Sequence, residues 1–123
     1  MPGIEILVQD FMGVCPIAIT HASWSDPNLI FGGVGWSVSI DTYWRVERAG
    51  KMILGYAEVG SSEYFQSIVG SDVVSVRPLE RSPVLDFEIQ FSNGDRLVIF
   101  SLSRLENFVV RLPGKNVFVF IPD

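Results

Sequence analysis

The sequence is poor in the residues that most catalytic and metal sites require. Its 123 residues include one cysteine, Cys15, and one histidine, His21. A structural zinc site needs about four cysteine, histidine or carboxylate ligands, so this pair does not supply one. A lone cysteine also excludes an intramolecular disulfide, as is usual in the reducing cytosol. We therefore predict no catalytic residues, no metal and no cofactor, and a protein that is not an enzyme.

Long apolar runs and excess positive charge are missing as well. No stretch of about 18 apolar residues occurs, and the N-terminus lacks the parts of a secretory signal. We therefore expect a cytoplasmic protein that does not enter membranes. Fourteen acidic residues outnumber nine basic ones, which gives a net charge of −5. Because acidic chains repel phosphate backbones, we expect no nucleic-acid binding, and a basic protein is the natural electrostatic complement.

Apolar residues are abundant, and many of them alternate with polar ones. The chain is 48% hydrophobic, enough to fill a core, and its length predicts one domain over residues 1–123. Strict alternation over Val84–Phe91 predicts a strand with one apolar face and one solvated face carrying Asp86 and Glu88. Asn93-Gly94 then predicts a type I′ hairpin to a strand over residues 96–101.

Other segments with the composition of strands precede and follow this hairpin. One predicted hairpin consists of residues 42–48 and 52–56, and another consists of residues 105–112 and 117–121. The last of these strands is apolar on both faces, so we expect it to lie centrally or under a covering layer. Further strands are predicted over residues 4–8, 14–20, 36–40 and 73–77, and a loop over residues 22–28.

One short helix interrupts the strands. Residues 61–69 begin with serines suited to capping, precede Gly70, and place Phe65, Ile68 and Val69 on one stripe that we expect to face the sheet. The predicted fold class is mainly β (α+β). We expect a curved antiparallel sheet, a sandwich or a partly open barrel with this one helix.

Three local patterns that suggest a site have simpler interpretations. His21, Ser23 and Asp26 are close in sequence, but a catalytic triad is assembled from separate elements, so we interpret His21 as a loop residue. The glycine-rich segment 31–35 runs into a strand where a phosphate loop would open a helix, which predicts a bend or bulge. Trp36 and Trp44 are expected in the core, whereas Trp24 is an expected exposed anchor.

The order of elements from Trp36 onward resembles small bacterial immunity proteins of polymorphic-toxin and contact-dependent inhibition systems. The resemblance covers residues 36–112: the strand at Trp36, the hairpin after Tyr43-Trp44-Arg45, the helix ended by Gly70, the strand 73–77 and the hairpin 85–100. In such families a small cytoplasmic protein binds a toxin domain and blocks it. The resemblance implies no particular site residues.

The function predicted from this resemblance and the charge is a non-enzymatic immunity protein that neutralises a toxin domain, such as a nuclease, through an acidic surface. The predicted contact residues are the anchor and the carboxylates expected to be exposed: Trp24, Glu58, Glu63, Asp72, Glu80, Asp86 and Glu88. Two alternatives remain open: a structural module that forms a homodimer, and a small-ligand-binding β-barrel domain or barrel-type enzyme. The predicted oligomeric state is a monomer or a homodimer.

Overall fold

The computed structural model describes residues 3–81, 84–100, 108–115 and 117–120. Within these ranges the chain forms two helices, α1 (Gly3–Met12) and α2 (Ser61–Ser67), and eleven strands. The strands are β1 (Ile17–Ala18), β2 (His21–Ser25), β3 (Asn28–Gly33), β4 (Trp36–Ile40), β5 (Trp44–Arg48), β6 (Lys51–Gly55), β7 (Asp72–Arg81), β8 (Val84–Phe91), β9 (Arg96–Ile99), β10 (Phe108–Arg111) and β11 (Phe118–Phe120).

The strands make two antiparallel sheets that pack face to face. One sheet has the order β1-β7-β8-β9-β5-β6, and the other has the order β11-β10-β4-β3-β2. Aromatic rings join them, with centroids 4.9 Å apart for Phe87 and Phe108 and 5.8 Å apart for Phe31 and Phe91. The predicted mainly β (α+β) class is confirmed. Of the architectures considered, the structure is a sandwich with open sheet edges.

The alternation along β8 places its apolar side chains in the core as predicted, but its polar face is not solvated. Phe87 and Ile89 are fully buried, yet Asp86 is only 3% and Glu88 only 5% exposed. β8 lies between β7 and β9, and Arg77 on β7 is directly opposite Glu88 and forms an ion pair with it. The prediction of exposed carboxylates here is wrong, and at Glu88 the reason is the cross-strand pairing with Arg77.

One of the hairpin turns of this sheet differs from the predicted turn type. At Asn93-Gly94 only the glycine has a positive φ, of 92°. The N–H of Phe91 donates to Asp95 O at 2.9 Å and that of Gly94 to Phe91 O at 3.0 Å, which is a three-residue turn with a bulge. The type I′ prediction is wrong here, whereas both turn residues between β5 and β6, Ala49 and Gly50, have positive φ.

The C-terminal hairpin forms, but its last strand does not lie where its composition predicts. β10 pairs with β4 on one side and β11 on the other, so β11 is an edge strand. Val117 and Val119 are 44% and 43% exposed. A central or covered position for this strand is therefore wrong. Parts of three predicted strands lie outside the described residues. They are residues 105–107 of the strand 105–112, residue 101 of the strand 96–101, and residue 121 of the strand 117–121.

The N-terminal segment is a helix where a strand was expected over residues 4–8. Leu7 and Phe11 are buried and Val8 packs against the same core, so the apolar residues follow a spacing of three and four. Isoleucine and valine favour strands in isolation, and this helical spacing was the signal missed. A strand was also expected over residues 14–20, but the observed strand β1 covers only Ile17–Ala18.

The predicted helix at residues 61–69 is confirmed as α2, with two corrections. Its N-cap is Gly60, which offers no side-chain cap, and Ser61 Oγ instead donates to Glu58 O at 2.7 Å. Phe65 and Ile68 are buried, but Val69 is 39% exposed because the helix ends before it. Neither helix in the described ranges is long enough to cross a bilayer.

The glycine-rich segment belongs to the β3–β4 hairpin and has a packing role. Trp36 Nε1 donates a hydrogen bond of 3.1 Å to Ala18 O across Gly33. A Cβ atom on Gly33 would collide with both of these groups. The chain before it, predicted as a loop over residues 22–28, is instead the β2–β3 hairpin.

Candidate functional site

Three connections between secondary-structure elements meet at one end of the sandwich. They are the β2–β3 turn with Asp26, the β4–β5 connection of residues 41–43, and the start of the β6–α2 connection at Tyr56. The Asn28 amide donates to Ile40 O at 3.4 Å, which joins the first connection to the second. Pairing of Arg45 with Gly55 brings Tyr56 next to Trp44. We call this end of the molecule the aromatic end.

The second connection is held against the neighbouring strand by hydrogen bonds at both of its later residues. Thr42 Oγ1 donates to Phe100 O at 2.5 Å, and the N–H of Phe100 donates to Tyr43 O at 2.9 Å. Thr42 is buried, whereas Tyr43 points outward with 55% of its surface exposed. The backbone therefore presents the Tyr43 ring from a fixed position.

The ring of Tyr56 is the centre of an aromatic cluster. Its centroid lies 4.8 Å from that of Tyr43, 5.7 Å from Trp24 and 5.9 Å from Trp44, and each pair meets edge to face. Such pairs contribute about 0.5–1.5 kcal/mol each beyond their buried area. The cluster is therefore a rigid platform.

The cluster runs from the core to the surface. Trp44 is 1% exposed and packs on Phe65 of α2 with centroids 5.0 Å apart. Trp24 and Tyr56 are partly buried, and Tyr43 forms the exposed rim. The buried Nε1 of Trp44 has no hydrogen-bond acceptor among the described residues. Ring packing must therefore outweigh the cost of this unpaired donor, about 1–3 kcal/mol.

Two exposed carboxylates, Asp26 and Asp41, flank the cluster. Burial raises the pKa of the Tyr56 phenol, and the negative charges of Asp26 and Asp41 raise it further. Among the described groups no lysine or arginine opposes this effect or forms an ion pair with either carboxylate. The described residues of the aromatic end therefore carry uncompensated negative charge.

A second tyrosine sits in a compensated environment at the other end of β5. Tyr64 Oη donates to Asp95 Oδ2 at 2.7 Å, and Arg48 donates through Nε to Oδ1 at 2.8 Å and through Nη2 to Oδ2 at 2.9 Å. Asp95 is fully buried. Its pKa is lowered mainly by the hydrogen bond from Arg48, and that of Tyr64 is raised by burial and by Asp95. We call these three residues the compensated network, which ties α2 to two hairpins.

Of the predicted contact residues, three lie near the aromatic end or on α2 beside it. Trp24 is part of the cluster, but as a partly buried strand residue, so its prediction as an exposed loop anchor is wrong. Glu58 is exposed two residues after Tyr56, and its carboxylate accepts the Gly55 N–H. Glu63 is exposed in the first turn of α2.

The structure does not bring the other four predicted residues to this end. Asp72 begins β7 and is partly buried, and Glu80 lies within β7. Asp86 and Glu88 are buried on β8. In the order of the sheet, β9 lies between β8 and β5, and both β8 and β9 lie between β7 and β5. Neither β7 nor β8 is therefore next to β5, which holds Trp44 of the aromatic cluster.

Sequence reasoning missed Tyr56, Asp26 and Asp41. Both aspartates lie in connections that border strands, and Asp26 precedes a proline, which is a turn signal. Each turn can be predicted from its own residues, but no local sequence pattern indicates that the turns lie close together in the fold. Their convergence depends on the strand order of two different sheets.

Residues that suggested chemistry in the sequence are not assembled into a reactive site in the described ranges. His21 and Asp26 lie at opposite ends of β2, roughly 13–17 Å apart along an extended strand. Cys15 is partly buried, and burial raises its thiol pKa to about 11, which keeps it in the unreactive protonated form near neutral pH. No group of three histidine, cysteine or carboxylate side chains in the described part of the chain is placed to hold a metal.

A groove of about 300 Å³ lies between α1 and the β10–β11 turn. Leu7, Leu112 and Phe118 line it, together with Asp10 and Lys115, whose charged atoms are 3.8 Å apart. Its charges offset each other, unlike those at the aromatic end.

Comparison of the chain with protein-family models, curated proteins and solved structures finds no match.

Proposed function

We propose that this protein is a non-enzymatic binding module of the immunity type, which neutralises a toxin domain by covering its basic active-site cleft. The observation that carries the proposal is the aromatic end, where an exposed tyrosine on a rigid cluster is flanked by Asp26 and Asp41, and no described lysine or arginine pairs with either carboxylate. The resemblance over residues 36–112 points to the same class of protein.

The aromatic cluster has the properties of a binding hot spot. Tyrosine and tryptophan are enriched at the centres of protein interfaces because they bury a large area through few rotatable bonds. Tyr43 is held by Tyr56 and by its backbone hydrogen bond to Phe100, so little side-chain entropy is lost on binding. Trp24 would be covered further by a partner that sits on this rim.

Charge supports a basic partner. The whole chain carries a net charge of −5, and Asp26 and Asp41 add local negative potential at the aromatic end. Complementary charge speeds the encounter of two proteins and discriminates against wrong partners. A cleft that binds the phosphates of a nucleic acid, as in a nuclease toxin, has the matching sign.

The contact set follows from the positions of the side chains. The proposed centre is Trp24 and Tyr43 with Asp26 and Asp41, and Glu58 and Glu63 are proposed rim residues. Asp86 and Glu88 are withdrawn because a buried carboxylate does not contact a partner.

The decisive experiment tests whether the open reading frame next to this protein encodes a toxin domain that the protein binds and neutralises. The two chains are co-expressed in a bacterium that the toxin alone kills, and complex formation is measured with the purified proteins. Rescue of growth with formation of a one-to-one complex is the expected result. Two outcomes contradict the proposal. In one, the neighbouring toxin binds this chain but growth is not rescued, and in the other the two proteins do not bind.

A second candidate function, self-association as a structural module, is favoured by the edge strand β11. Val117 and Val119 are exposed there, and an unpaired apolar edge is a template for pairing with another strand. Light scattering over a dilution series tests it. A dimer that becomes a monomer in Val119→Lys supports this function, and a monomer at all concentrations excludes it.

A further inference from the structure

The aromatic end also indicates which chemical group a partner would place on it. Tyr43 is 55% exposed. The exposed Asp26 and Asp41 lie two residues along the chain from Trp24 and Tyr43, respectively. A cation held over an aromatic ring gains from the negative face of the ring, and it gains again from a carboxylate beside it. The surface is therefore complementary to a single cationic side chain.

The same protein already contains an arginine in an arrangement of this kind. The guanidinium carbon of Arg45 lies 5.2 Å from the centre of the Phe100 ring, and its Nε lies 2.6 Å from Glu47 Oε2. A planar, weakly hydrated guanidinium stacks on a ring while its charge pairs with a carboxylate. The ammonium of lysine is compact and strongly hydrated, so it stacks less well.

We infer that the partner contributes an arginine side chain, which stacks on the exposed Tyr43 ring and pairs with Asp26 or Asp41. The inference rests on the proposed function only in taking the source of the arginine to be a protein. The acceptor site itself belongs to this chain and is measurable without the partner.

The test uses three short peptides with blocked ends, in which the central residue between two glycines is arginine, lysine or citrulline. Citrulline has the shape of arginine without its charge. NMR of the full chain with labelled tyrosine and tryptophan rings follows each titration. We expect millimolar binding of the arginine peptide, with the largest shifts at Tyr43 and Trp24, weaker binding of lysine, and none of citrulline.

Two variants locate the interaction. Replacement of both flanking carboxylates, Asp26→Asn with Asp41→Asn, is expected to weaken binding of the arginine peptide about fivefold to tenfold, since each exposed pair contributes modestly. Glu5→Gln is the matched control, because it removes an exposed carboxylate on α1 and is expected to leave binding unchanged. Equal shifts from the arginine and citrulline peptides, or shifts away from Tyr43 and Trp24, overturn the inference.

The outcome of this test is separate from that of the proposed function. If the arginine peptide does not bind while the toxin complex forms and depends on Tyr43, the inference fails and the proposed function stands. If the peptide binds at Tyr43 and no neighbouring toxin is neutralised, the arginine site stands and the proposed function fails.

Discussion

Two tyrosines at opposite ends of β5 have raised phenol pKa values for related reasons, yet their surroundings differ. Tyr64 donates to a fully buried Asp95 whose charge is matched by Arg48. Tyr56 is flanked by Asp26 and Asp41, which are exposed and have no counter-charge among the described residues. The same residue types stabilise the fold where the charge is compensated internally, and they remain available to a partner where it is not.

The largest expected effect is on the free energy of unfolding, which should depend on a carboxylate of the compensated network far more than on one at the aromatic end. Asp95→Ala leaves Tyr64 and Arg48 without an acceptor, so we expect a loss of about 3 kcal/mol in the free energy of unfolding, measured by urea denaturation. Asp26→Ala is the matched control and should change it by less than about 0.5 kcal/mol, since its carboxylate is exposed and forms no ion pair with the residues that the structure describes. Equal losses in the two variants would break the comparison.

The pH dependence of the same variant checks the sign of the effect. The folded pKa of Asp95 is lowered, chiefly by Arg48, so its contribution to stability is fully present above the unfolded pKa of about 3.9. It is lost as the pH falls through the lowered folded value. The stability difference between the native chain and Asp95→Ala should therefore narrow below about pH 4 and be constant near neutral pH.

The second effect concerns affinity for the partner. Tyr43→Ala removes the exposed rim of the aromatic end, and we expect binding of the toxin domain to weaken about thirtyfold, the scale of a hot-spot truncation. Met52→Ala is the matched control, because Met52 is 61% exposed on β6 and is not part of the cluster. Calorimetry measures both, and equal losses would argue against a binding centre at Tyr43.

A smaller effect compares the two phenol groups directly. Tyr64→Phe deletes a hydroxyl that donates to Asp95, so we expect a loss of about 1 kcal/mol in unfolding free energy. Tyr56→Phe deletes a hydroxyl for which the described residues provide no hydrogen-bond partner, and it should cost much less. The difference between the two, from parallel urea curves, sharpens the distinction between a structural and an available tyrosine.

The smallest effect is electrostatic. Since Asp26 and Asp41 both raise the pKa of Tyr56, the double variant Asp26→Asn with Asp41→Asn should lower it toward the value expected from burial alone. NMR titration of labelled tyrosine rings distinguishes Tyr56 from Tyr43 and Tyr64. The pKa of Tyr64 should not change, and a shift there would mean that the two ends are electrostatically coupled.

The strands and hairpins were largely predictable because their signals are local. Alternation over Val84–Phe91 predicted β8, and the strand-like composition of residues 42–48 and 52–56 predicted the β5–β6 hairpin, before any tertiary information. The helix α1 was missed because isoleucine and valine favour strands, whereas its spacing of apolar residues is helical. A period of two also predicted which face of β8 is apolar, but it did not predict whether the opposite face is covered.

The candidate site was predictable only in part. Trp24 was singled out as an anchor and does belong to the cluster, although it lies in a strand and is partly buried. Tyr56 was not singled out, because a tyrosine next to a predicted strand end has no distinctive pattern. Asp86 and Glu88 were chosen from their alternation, but both are buried, and Glu88 pairs with Arg77 on the neighbouring strand.

Composition and periodicity were therefore sufficient to establish an acidic, β-rich chain with a packed core, because charge and the alternation of side chains depend on residues close together in the sequence. The folded arrangement alone decided that three separate turns surround Tyr56 and that Arg48 compensates Asp95 but nothing described compensates Asp26 and Asp41. These relations join residues on different strands and sheets, and their distances depend on strand order, which no local pattern encodes.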